Sequence, residues 1–226
     1  MIALIAASLI ALQADELAEA AKKSAALENY SFKTEAKASR GKHQPGPIEG
    51  RYQKDQPLGL KAGSAEGFRK GGVIVYKEGE EWKRLEKAQK GEKKNQPAAA
   101  EFSGIKLPHE ELEGFEKSFE KVEKAAEKDK DCTLWSGTLT PTAARGLVTT
   151  GGKSDAKSNA TYSGTAKVWV NADGYIVRYE VVSLMKGETK KGPVEVTITK
   201  SVDLTERGST KVEVPEGAAK LLNSQS

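Results

Sequence analysis

Residues 163–181 read SGTAKVWVNADGYIVRYEV, and how this stretch folds decides the architecture around it. Its centre, NADG at 171–174, is turn chemistry. Asn171 can open a type I turn, and Gly174 can take the left-handed conformation that closes it, as in a three-residue hairpin loop with a bulge. The arms are rich in Val, Tyr, Ile and Trp, which favour a pleated, half-buried surface. A regular register places Asn171 opposite Tyr175, Trp169 opposite Val177, Lys167 opposite Tyr179 and Thr165 opposite Val181. One face then carries Trp169, Val177, Tyr179 and Val181. The other carries Val168, Val170 and Ile176 together with Arg178 and Glu180. Both are largely apolar near the turn. Unpaired charges are costly to bury, so the Trp169 face is expected to point inward and the Arg178 face outward.

Around this hairpin the chain alternates in the same way. VEVTITKSVDL puts Val194, Val196, Ile198, Val202 and Leu204 on one side and Glu195, Thr197, Thr199, Ser201 and Asp203 on the other, the period of a strand. DCTLWSGTLT reads as a strand, and TPTAARGLV as a short helix with Thr140 as cap and Pro141 in its first turn. Upstream, Leu112, Phe115, Phe119, Val122 and Ala126 recur at spacings of three and four behind Pro108, Glu110 and Glu111. That pattern predicts an amphipathic helix from Pro108 to about Lys130, whose two Phe residues would cover the inner face of the hairpin. Residues 15 to about 29 predict a first helix with Leu17, Ala21 and Ser24 on one side. YSFKTEAKAS, with Tyr30, Phe32 and Thr34 at alternate places, predicts a strand, and short strands follow through IEGRYQKD, PLGLKAG and GGVIVYKEGEEWKRL. TKVEV and PEGAAKLL read as a last short strand and a closing turn of helix. EKAQKGEKKNQPAAA reads as a Lys-rich loop, with solvation as the simplest role for its 86–96 stretch.

Residues 1–14, MIALIAASLIALQA, carry no charged side chain. The run is too short for a membrane-spanning helix, which needs about 20 apolar residues, and fits the apolar core of a secretory signal peptide. Cleavage is expected after Ala14, with Ala11 as the other possibility. The expectation is therefore an exported protein, periplasmic or extracellular, with residues 15–226 forming a single domain. The chain of 226 residues has a formal net charge of +4, with Lys and acid interspersed as in EKVEKAAEKDKD, the pattern of a solvated face. No basic block interleaved with aromatics suggests nucleic acid. The single Cys, Cys132, allows no internal disulfide, so packing alone must hold the fold. Catalytic, cofactor and metal sites are not expected: the histidines are His43 in a Gly/Pro loop and His109 at a helix start, and neither HExxH nor G-x-S-x-G is present.

The motifs WSGTLTPTAARGL, YSGTAKVWVNADGYIVRYEV and VEVTITKSVDL followed by STKVEVPEGAAKLL, in that order, resemble the family of periplasmic lipid-handling proteins that includes the lipoprotein carrier LolA and the mycobacterial lipoproteins LppX and LprG. The resemblance runs from about Tyr30 to Leu222. It implies an α+β fold, a curved antiparallel half-barrel sheet with helices packed in its concave face, and a cavity between them for acyl chains. The Cys that tethers the mycobacterial members is missing after the apolar run, so any membrane contact would be transient. The implied partner is a lipid or an acylated protein. Trp82, Leu112, Phe115, Phe119, Trp135, Leu139, Trp169, Val177 and Tyr179 are the candidate cavity residues; a solid core made of the same side chains is the plainer alternative. A second functional expectation is an envelope interaction or sensor module with the same fold and no stored ligand. Ligand identity and oligomeric state are left open.

Overall fold

The computed structural model describes residues 15–40, 46–85, 102–129, 131–146, 160–189 and 192–224. Residues 1–14, with the expected signal peptide and its cleavage site, lie outside the described residues. So do His43 and the Lys-rich stretch 86–96. Among the described residues no helix is long and apolar enough to cross a membrane.

The strands are β1 (Asn29–Ala38), β2 (Ile48–Gln53), β3 (Leu58–Ala62), β4 (Ala65–Lys70), β5 (Val73–Glu78), β6 (Glu81–Arg84), β7 (Phe119–Asp129), β8 (Cys132–Leu139), β9 (Thr161–Val170), β10 (Ile176–Thr189) and β11 (Gly192–Thr205). The helices are α1 (15–25), α2 (Pro108–Leu112), α3 (Pro141–Gly146) and α4 (Glu216–Asn223). Backbone hydrogen bonds order the strands β6-β5-β4-β3-β2-β1-β11-β10-β9-β8-β7 in an open eleven-stranded sheet. The α+β class is the one expected. The described residues divide into two compact units: unit one holds those within 15–27, 36–40 and 106–204, and unit two those within 28–35, 46–85, 102–105 and 205–224.

Unit two is a set of short antiparallel hairpins, β2 to β6, with the first part of β1. Tyr30 and Phe32 are buried as the alternation of β1 requires. Helix α4 closes one cluster, in which Ala218 and Leu222 meet Phe68 and Val75 with Trp82 against them. Arg69 donates to the carbonyl oxygens of Phe102 (3.0 Å) and Ile105 (2.7 Å), which ties down residues 102–105.

Unit one is built on the long strands β7 to β11. The NADG turn forms as expected. Gly174 N–H donates to Asn171 O at 2.9 Å, Tyr175 N–H donates to Asn171 Oδ1 at 2.8 Å, and Gly174 takes φ +78°. Beyond the first pair, however, the register differs. Ile176 pairs with Val170, but Arg178 pairs with Trp169 and Tyr179 with Val168. Val177 is the extra residue of a β-bulge, and a bulge changes the parity of its strand. Ile176 and Tyr179, three apart, therefore both point inward. Val168, Ala166 and Val181 join them, all buried. Trp169 turns outward instead, where the Arg178 guanidinium lies 5.3 Å from its ring. The expectation of Trp169 and Val177 on the inner face is corrected by this bulge: Trp169 belongs to the outer face, and Val177 is the unpaired, half-buried residue.

The long helix expected over Pro108 to Lys130 is also corrected. Its first turn forms, with Pro108 leading and the Leu107 N–H donating to Glu110 Oε2 at 3.0 Å. It stops at Leu112. Glu113 is extended and Gly114 takes φ +68°, a left-handed conformation open to glycine. A single 3-10 turn, Phe115–Ser118, follows, and Phe119 begins β7. The helical spacing of Phe119 and Val122 arises from a second bulge. Phe119 pairs with Leu139, Lys121 with Thr138 and Val122 with Gly137, so one inserted residue brings two positions three apart onto the same face. β7 is the outermost strand of its side of the sheet, and its many Lys and Glu side chains suit an unpaired edge.

Three helices cover the inner face of unit one. In α1, Leu17, Ala21 and Ser24 are fully buried. The Ser24 hydroxyl donates to Ala20 O (2.7 Å) and accepts from the Ile176 N–H (2.8 Å), bolting the helix to β10. Helix α3 is capped as expected, with the Ala143 N–H donating to Thr140 Oγ1 at 3.2 Å, and it buries Ala144 over β9. Helix α2 and the turn after it bury Leu112 and Phe115.

Candidate functional site

Cross-strand rows define the inner face of unit one. One row runs Lys124, Trp135, Val168, Tyr179, Val202, and the next runs Val122, Gly137, Ala166, Val181, Lys200. Of the side chains singled out in the sequence, Leu112, Phe115, Trp135, Leu139 and Tyr179 are all buried here. The Phe115 ring lies 5.6 Å from that of Tyr179 and 5.3 Å, edge-on, from Phe119. The segment that bears the Phe residues thus covers Tyr179 as expected, although it is a turn and a strand rather than a helix. Trp169 and Val177 do not join this group. Trp82 belongs to unit two, where its ring lies 5.5 Å from Phe68 under α4.

An open groove of about 870 Å³ runs beside α1. Ala20 of α1, Ala26 just after it, Trp135 and Thr133 of β8 and Val170 of β9 line it. Its rim is charged. Lys124 Nζ bonds Glu16 at 2.9 Å and also lies 5.5 Å from the Trp135 ring. Lys23 donates to Asp173 O at 2.6 Å and lies 4.3 Å from the Tyr175 ring. Small residues on the buried side of α1, Ala20, Ala21 and Ser24, let the helix lie close to the strands it packs on. The arrangement can receive an elongated apolar body and offer both signs of charge at its mouth.

A second feature went unread in the sequence. Glu111 of α2 and Lys200 of β11 form an ion pair inside unit one, with side chains 3% and 6% exposed. The Tyr179 hydroxyl donates to the other oxygen of Glu111 at 2.5 Å. The signal was present in VEVTITKSVDL: between Ile198 and Val202 the inward slot of the alternation is occupied by a lysine. Glu111 was assigned only to the electrostatics of a helix start, a role that its neighbour Glu110 fills. The three groups satisfy one another, as buried charge requires.

Among the described residues no cluster of three or more His, Cys, Asp or Glu side chains could hold a metal ion. His109, on α2, is half-buried. Burial pushes its imidazole below the ordinary range, against an opposing pull from Glu110 and Glu113.

No family model and no curated protein matches the sequence. Solved structures do match. LprF from Mycobacterium bovis superposes with a TM-score of 0.56 at 12% identity, over 91% of this chain and 97% of that one. This is the fold of LprF. The α+β class implied by the sequence motifs is met, with an open antiparallel sheet and helices. A LolA superfamily protein, NE2245 from Nitrosomonas europaea, also aligns, over 94% of this chain and 97% of that one at 9% identity, but with a TM-score of 0.29 that carries no weight for the fold.

Proposed function

We propose that the protein is exported, with residues 1–14 as its signal peptide and residues 15–226 as one functional domain, and that it binds a hydrophobic ligand, a lipid or the acyl chain of an acylated protein. The groove beside α1 carries this reading. Its volume of about 870 Å³ falls in the range of roughly 300–1,000 Å³ typical of small-molecule sites. Trp135, Val170 and Ala20 line it, together with charged residues of α1 and Lys124. An acyl chain needs an apolar trough and no specific partner along its length, because its burial is favourable in proportion to area. Leu112, Phe115, Leu139 and Tyr179 are buried in the core of the same unit, with Phe119 half-buried, and Trp135 is the residue that both core and ligand would touch. In this reading the protein is a binding or carrier protein rather than an enzyme, and any contact with the membrane is transient.

The test is uptake of a fluorescent long-chain fatty acid by the purified protein. Thr133→Trp places a β-compatible bulky side chain in the groove from a half-buried position. It is expected to lower affinity at least tenfold with an unchanged circular dichroism spectrum. Unaltered binding in this variant would move the site elsewhere. No binding by the native chain, together with no co-purifying lipid in native mass spectrometry, would favour the interaction-module reading.

A further inference from the structure

An ion pair inside an apolar core is a poor device for stability. Removing two charges from water costs more than most such pairs return, and apolar residues of similar size often serve as well or better. Yet Lys200 occupies an inward slot of β11 between Ile198 and Val202, directly opposite Val181. Its counter-charge does not come from the sheet. It comes from Glu111 on a five-residue helix that ends at a left-handed glycine. Two donors fixed in the sheet, the Lys200 ammonium and the Tyr179 hydroxyl, are thus bridged by one carboxylate carried on a short covering segment.

That geometry is the recognition pattern for a carboxylate. Tyr179 also lies in the same cross-strand row as Trp135, which lines the groove, with Val168 between them. Two strand spacings put the tyrosine strand roughly 10 Å from the tryptophan strand. We propose that Lys200 and Tyr179 form the head-group site for a long-chain carboxylate whose tail lies in the groove, and that Glu111 occupies this site when no ligand is bound. The ligand's carboxylate takes over both donors, Glu111 swings out to water on α2, and no buried charge is left unpaired at either stage. The proposal rests on the hydrophobic-ligand reading and adds the ligand class to it: free fatty acids over their esters.

The experiment compares palmitate with methyl palmitate, by calorimetry, on the native chain, on Glu111→Gln and on the double variant Glu111→Leu with Lys200→Met. In the native chain the acid is expected to bind more tightly than the ester. Glu111→Gln removes the competing charge but keeps the shape, and is expected to raise affinity for palmitate about tenfold while leaving the ester unchanged. The double variant removes both charges together, so it is expected to fold, and to bind acid and ester with equal affinity. It decides the matter if Glu111→Gln proves unfolded by circular dichroism. Equal affinity of the native chain for acid and ester, or a double variant that still prefers the acid, overturns the head-group site while leaving the hydrophobic-ligand reading intact. Binding of neither compound by any of the three proteins overturns both.

Discussion

The two units solve the same problem, a helix laid on a sheet, with different chemistry. Under α4 in unit two, Phe68, Val75, Ala218 and Leu222 close an apolar cluster with Trp82 against it. Under α1 and α2 in unit one, Ser24, Glu111, Ser183 and Lys200 are buried among the apolar side chains, and a groove stays open beside them. Packing alone explains the first region. In the second, polar groups have been taken out of water and given fixed partners, an arrangement that packing does not call for. The difference separates a region that only holds the fold from one that has room and directed charge for something more.

Double substitutions give the sharpest break in that comparison. Lys200→Met alone leaves Glu111 buried without its counter-charge and is expected to lower stability by about 3–5 kcal/mol, read from urea unfolding. Adding Glu111→Leu to the same chain is expected to recover most of that loss. In unit two, Phe68→Ala is expected to lower stability by roughly 3 kcal/mol through the cavity it leaves, and no second truncation among its neighbours should restore it. If the Lys200 loss is not recovered, or the Phe68 loss is, the contrast between the two cores falls.

The smallest expected effect is one of pH. Burial holds the His109 imidazole below its ordinary value of 6.5, so the folded chain resists protonation more than the unfolded chain does. His109 therefore contributes stability that is fully present above about pH 6.5 and is lost as pH falls from there through its lowered folded value. His109 sits on α2, and among the described residues unit two has no histidine. The urea midpoint should drop more steeply between pH 7.5 and pH 5 in the native chain than in His109→Asn, and a parallel drop in both would remove this asymmetry.

Much of the fold was legible in the chain. The NADG turn, the cap at Thr140, the buried side of α1 and the alternation of β11 all follow from local rules, because each is set by neighbours in sequence. What misled was the two bulges. Each inserts one residue and places two inward side chains three apart, Ile176 with Tyr179 and Phe119 with Val122. In the hairpin the slip exchanged the faces of β9 and sent Trp169 inward on paper. In β7 it produced the spacing of an amphipathic helix, supported by helix-favouring Glu, Lys and Ala. Pairing with β8 overrode that propensity, and pairing is not visible in a single strand. The ion pair escaped for a related reason: Lys200 and Glu111 are 89 positions apart, and nothing local joins them.

The identity of β7 as the last strand of the sheet has one further result. Among the described residues no strand pairs with its outer edge, and an open edge invites a second molecule to anneal there. Lys121, Glu123 and Lys124 line that margin, and an approaching segment would have to strip water from them before gaining a single ladder bond. The same charges that hold the edge in water thereby keep the sheet from pairing with further copies of the chain.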